Sequence, residues 1–127
     1  MIHVIDEFLR FEPSNQLCDR RPLKNTQIGG THIAAGSLLT LRIGAANRNP
    51  GQFEQPNDLL LERAKNRHLA FGLGFHPCAG RSLARLEGRI AIGRFLQRFP
   101  DYRLTEPPTR GGRARFSDFL KVPFAVA

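Results

Sequence analysis

The 127-residue sequence (14.3 kDa) carries 41% hydrophobic and 24% charged side chains, the composition of one soluble globular domain. No apolar run approaches the ~20 residues of a membrane helix, the N-terminal stretch lacks the cationic and apolar regions of a signal peptide, and two cysteines, Cys18 and Cys78, make no disulfide framework. Nineteen Lys and Arg, sixteen of them Arg, oppose eleven Asp and Glu; residues 1–63 balance at seven of each sign, so the whole net charge of +8 sits in residues 64–127. Such one-sidedness attracts an acidic partner, a phosphate backbone or an anionic ligand, and charge alone does not choose among them.

In chain order, Val4 to Arg10 has helical apolar spacing and Pro13 stops it, giving a helix over residues 1–12. It has no N-cap, so it reads as the continuation of a longer element. Residues 15–43 read as short strands, with a hairpin turn at Gly29-Gly30 and a second turn at Ala35-Gly36. Residues 46–68, with Pro50, Gly51, Pro56, Asn57 and Asp58, have no sustained periodicity; an irregular stretch of this length is usually functional. A glycine-rich loop at 71–80 leads into the best helix of the sequence, residues 79–98. Leu83, Leu86, Ile90 and Phe95 form its expected apolar stripe, while Arg81, Arg85 and Arg89 share one face. Residues 101–127 read as terminal strands.

Cys78 carries the chemistry. At the start of a helix, free backbone N–H groups and the positive end of the helix dipole favour a thiolate. Gly72, Gly74 and Gly80 permit tight turns and close backbone approach to a bulky flat ligand. The residues alone leave a nucleophile, a redox thiol, a metal ligand and an ordinary structural cysteine open. Zinc is disfavoured because paired soft ligands are absent.

Phe71-Gly72-Leu73-Gly74-Phe75-His76-Pro77-Cys78-Ala79-Gly80 resembles the haem-binding signature of the cytochrome P450 family, FxxGxxxCxG, at every fixed position, and Leu83-Ala84-Arg85-x-Glu87 is similar to its soluble bacterial branch. Glu7-Phe8-Leu9-Arg10 resembles the ExxR motif of the family's K helix, and Phe53-x-x-Pro56 leading to Arg63 resembles the loop that completes it. ExxR alone would be an ordinary i,i+3 pair; its order and distance relative to the cysteine loop carry the likeness.

The resemblance implies the C-terminal part of the P450 fold, mainly α with short β-sheets (α+β): K helix, short strands, meander loop, cysteine loop, L helix and terminal strands. It implies haem b with Cys78 as axial iron ligand, Phe71 beside the thiolate, Gly72, Gly74 and Gly80 shaping the loop, and His76 and Arg20 on the propionates. Arg21 is the one-residue alternative to Arg20. Glu7, Arg10 and Arg63 would form a structural cluster, and Arg81, Arg85, Lys65 and Arg67 a face for a ferredoxin-type electron donor. His68 is expected to be structural, and His3, His32 and Cys18 carry no matched role. The implied activity is monooxygenation of a small organic substrate in the cytoplasm, with no membrane or nucleic-acid partner.

The departures are the absence of the family's I helix, C helix and substrate-enclosing loops. They lead to the expectation of a truncated chain, inactive alone, with exposed apolar helix faces. Ser14 replaces a common proline, and Pro77 removes a backbone donor beside the ligand. A non-catalytic or weakly haem-binding remnant is the alternative. Nucleic-acid binding through the arginine-rich half is a third reading, disfavoured by the lack of any helix-turn-helix or RNP pattern.

Overall fold

The computed structural model describes residues 2–126. Helix α1 (Ile2–Phe11) is followed by strands β1 (Leu17–Arg20), β2 (Thr26–Ile28), β3 (Thr31–Ile33) and β4 (Leu39–Arg42) and a four-residue helix α2 (Ile43–Ala46). Residues 47–80 form irregular turns. Helix α3 (Arg81–Arg98) and strands β5 (Tyr102–Leu104), β6 (Thr109–Arg110), β7 (Phe119–Lys121) and β8 (Phe124–Val126) complete the chain. Helix α2 has no counterpart among the elements read from the sequence.

The strands pair as four separate antiparallel ribbons, β1 with β4, β2 with β3, β5 with β8 and β6 with β7. The β2–β3 hairpin turns at Gly29 (φ 56°) and Gly30 (φ 82°), two consecutive left-handed residues that glycine adopts without steric cost. Two-stranded ribbons are marginal alone. Other contacts fix them: Gln16 N–H donates to the Arg115 carbonyl and Ser117 N–H to the Ser14 carbonyl, laying the C-terminal segment along the strand entry. Glu12 at the end of α1 accepts from Arg110 and from the Ser117 hydroxyl.

What is buried is unusual. Among the described residues the buried apolar side chains are Ile5, Pro13, Ile43 and Phe53, whereas Glu7, Arg10, Asn47 and Arg63 are buried and polar. The interior is organised around a charged network with a thin apolar surround. The α1–α3 contact is close because Gly88 has no side chain: a Cβ there would stand 3.3 Å from Ile5 Cγ2.

Helix α3 departs from expectation in two ways. It begins at Arg81 with Gly80 as N-cap, so Cys78 lies two residues before the cap. Its expected stripe does not face a core, for Leu83, Leu86 and Ile90 are all exposed. Only Phe95 packs, its ring within 5.2–5.5 Å of Phe99, Tyr102 and Phe124.

Candidate functional site: the cysteine loop and the buried carboxylate–guanidinium cluster

The scaffold beneath the cysteine loop is built from α1 and the irregular stretch. Arg10 grips Glu7 bidentately, Nε to Oε2 and Nη2 to Oε1, both at 2.8 Å. Its remaining N–H groups donate to the carbonyls of Asn47 (3.0 Å), Pro56 (2.8 Å) and Asp58 (2.9 Å). All five guanidinium donors are therefore satisfied, which is what a fully buried arginine requires. Arg63 adds a second cation on Glu7, Nε to Oε2 at 3.0 Å, and holds the Glu54 and Gln55 carbonyls. Glu7 also accepts from Leu60 N–H and Asn66 Nδ2. Burial alone would raise the Glu7 pKa, but hydrogen bonds from Arg10, Leu60 and Arg63 overcome it and lower it to about 2. Glu7, Arg10 and Arg63 thus meet in one buried cluster.

A second ionic group joins three segments. Asp6 Oδ1 accepts from Arg85 Nε at 2.6 Å and lies 3.2 Å from His68 Nε2. Arg85 also lies over the Phe71 ring, 4.9 Å from its centroid, and the His68 and Phe71 rings are 5.8 Å apart. Burial lowers the His68 pKa, against the pull of Asp6. Arg85 is not a free surface cation: it is paired and stacked, unlike Arg81, Lys65 and Arg67, which are exposed and outside every ion pair among the described residues.

The loop that carries Cys78 is closed by its own backbone. Gly72 N–H donates to the Leu69 carbonyl and Cys78 N–H to the Phe71 carbonyl, both within 2.9 Å. Gly72 (φ 73°) and Gly74 (φ 90°) sit in the left-handed region, where a side chain would be strained. The Cys78 thiol is exposed, and a Cβ on Gly80 would lie 3.9 Å from its Sγ. Leu73, Phe75 and His76 are exposed as well.

Beside this loop a cleft of about 350 Å³ is lined by Cys18, Arg20, Leu41, Ile43, Leu69 and Gly72, among others. Arg20 faces this cleft, with Nη1 2.7 Å from Cys18 Sγ. Arg21 instead donates to the Gly36 carbonyl at 2.7 Å, which separates the two neighbours. The loop offers one exposed sulfur, and the apolar cleft beside it, lined by Cys18 and not by Cys78, has a cation in its wall. That suits a flat apolar group bearing carboxylates and bound through one soft ligand, so the residues present fit a haem. A chelate made by protein side chains alone is not offered: among the described residues no three His, Cys, Asp or Glu groups converge to hold a metal ion.

Asn47 is the residue that sequence reasoning missed. It is fully buried, and its Oδ1 accepts from Leu69 N–H at 2.7 Å. A single asparagine in a loop carries no periodicity or motif that would single it out.

Comparison with known proteins supplies the lineage. The family model for cytochrome P450 matches residues 1–113. Cytochrome P450 107B1 of Saccharopolyspora erythraea is 42% identical over 118 residues, 92% of this chain and 29% of that protein. The polyketide biosynthesis cytochrome P450 PksS of Bacillus subtilis is 41% identical over 105 residues, 82% of this chain and 26% of that protein. The crystal structure of P450BioI, in complex with an acyl carrier protein ligated to hexadec-9Z-enoic acid, superposes with a TM-score of 0.94 at 35% identity, covering 99% of this chain and 34% of that one. The chain therefore spans 26–34% of the length of these relatives. With the family model matching most of its length, the chain belongs to the cytochrome P450 family.

Proposed function

We propose that this chain supplies the cysteine-ligand side of a haem-thiolate monooxygenase site, in which Cys78 would hold the haem iron. The observation that carries this reading is the placement of an exposed Cys78 sulfur at the mouth of a loop whose backbone is closed at Phe71 and Leu69. A thiolate-ligated haem, when bound, activates dioxygen and transfers one oxygen atom to an organic substrate.

The chain's own residues have distinct tasks. Cys78 would bind the iron through its sulfur. The N–H groups of Ala79 and Gly80, which make no backbone hydrogen bond among the described residues, are available to donate to that sulfur and temper its basicity. Pro77 has no such donor. Arg20 at the cleft rim pairs with a carboxylate substituent through its planar fork, and exposed His76 offers a second contact. Phe71, capped by Arg85, keeps water from one flank of the loop. Exposed Arg81, Lys65 and Arg67 steer an acidic, ferredoxin-type donor. The described residues carry no helix with an acid–alcohol pair for delivering protons, and the exposed loop leaves the ligand side open. Substrate enclosure and productive turnover therefore call for polypeptide beyond these residues, and the chain on its own is inactive as a monooxygenase.

The test is a reduced, carbon-monoxide difference spectrum of the purified chain supplied with haem, beside Cys78→Ser. A strongly red-shifted Soret band that vanishes in the variant is expected. A band unchanged in the variant, or no specific band from soluble protein, overturns the assignment of Cys78.

A further inference from the structure

Two networks lie close together without sharing a charged group: the Glu7–Arg10–Arg63 cluster and the loop that presents Cys78. We propose that Asn47 is a positioning residue that couples them, fixing the entry of the cysteine loop to the buried arginine. The proposal deepens the haem-thiolate reading and rests on it for the loop's purpose.

The connection can be followed bond by bond. The Asn47 carbonyl accepts from Arg10 Nη1 at 3.0 Å. Its side-chain Oδ1 accepts from Leu69 N–H at 2.7 Å. The Leu69 carbonyl then accepts from Gly72 N–H at 2.9 Å, and one residue earlier the Phe71 carbonyl accepts from Cys78 N–H at 2.8 Å. One residue thus ties Arg10, through its carbonyl, to the turn that closes on Cys78 N–H, through its side chain. Asn47 is itself anchored, its N–H donating to the Ile43 carbonyl at 3.0 Å at the end of α2.

The amide orientation is dictated by its partner, because an N–H donor can be met only by Oδ1. That leaves Nδ2 buried and without a hydrogen-bond partner. A buried polar atom left unpaired costs about 1–3 kcal/mol. A purely space-filling role would be served better by leucine, so the retained cost is accounted for by the Oδ1–Leu69 bond.

Amide hydrogen exchange of the full chain, residue by residue, tests this without haem. Asn47→Leu keeps the approximate shape and removes the acceptor. Asn47→Asp keeps the acceptor beside a cluster whose two arginines outnumber its one glutamate. In Asn47→Leu we expect exchange at Leu69, Gly72 and Cys78 to rise roughly tenfold or more, with amides of α3 unchanged, and in Asn47→Asp protection to be retained. Uniform loss across the chain, unchanged loop protection in Asn47→Leu, equal loss in both variants, or no protection at these amides in the native chain would each overturn the proposal. A failed haem spectrum with the expected exchange pattern counts against Cys78 ligation and leaves the coupling standing, so the two readings fail separately.

Discussion

Arg63 Nε lies 3.0 Å from Glu7 Oε2, although 56 positions separate the two residues. This bond closes the irregular stretch onto α1, and it places a second buried cation on a carboxylate already gripped by Arg10. The three residues leave one excess positive charge in the interior, spread over the carbonyl oxygens of Asn47, Glu54, Gln55, Pro56 and Asp58.

Glu7→Gln should therefore be severe. It leaves two buried guanidinium groups without a counter-charge, a loss of about 3–5 kcal/mol for a broken buried pair. Urea unfolding of the variant beside the native chain measures it; a loss below about 1 kcal/mol would refute the central role of the pair. The same bond sets an acid limit. The Glu7 pKa is about 2 in the folded chain, below its ordinary value of 4.5. Its contribution is complete above the ordinary value and is lost as pH falls toward 2.

His68 gives a second and milder pH response. Burial, first among its causes, lowers its pKa from 6.5, with Arg85 and Arg10 adding to the effect and Asp6 opposing it. The unfolded chain then binds a proton that the folded chain resists, so stability is full above pH 6.5 and falls as the solution is acidified below it. Melting temperatures followed from pH 7.5 to 5 should show this slope, and His68→Asn should flatten it. An identical slope in the variant would assign it elsewhere.

Arg81 and Arg85 sit one helical turn apart and should behave differently. Arg85→Ala removes the Asp6 pair and the cover over Phe71, at a cost of about 1–2 kcal/mol. Arg81→Ala, at an exposed and unpaired position, should stay within about 0.5 kcal/mol and act only on the salt-dependent association rate of an acidic donor. Equal stability losses in denaturant titrations of the two variants would contradict this division.

These differences show what a sequence can and cannot convey. Glu7, Arg10 and Arg63 were legible only through the family resemblance, because an i,i+3 pair on a helix is commonplace and its order relative to the cysteine loop is what marks it. The Gly29-Gly30 turn was legible because its backbone conformation suits little else. Arg85 was not, since its partner Asp6 stands 79 positions away and helical spacing groups it with Arg81 and Arg89. Nor was Asn47, whose burial arises only when α1, α2 and the cysteine loop converge. The apolar stripe of α3 was legible as a pattern, but periodicity says that a face wants cover and not whether the same residues provide it.

The five donors of Arg10 have a consequence for the lifetime of the fold. Apart from Glu7, their partners lie 37 to 48 positions away, so the contacts form only after large loops have closed, at an entropic cost met late in folding. Interactions absent from the transition state govern the unfolding rate far more than the folding rate. Stopped-flow traces of Arg10→Lys should accordingly show much faster unfolding with refolding almost unchanged; slowed refolding would place the cluster in the nucleus instead. Arg10 then acts as a latch, closing last and setting how long the assembled chain endures.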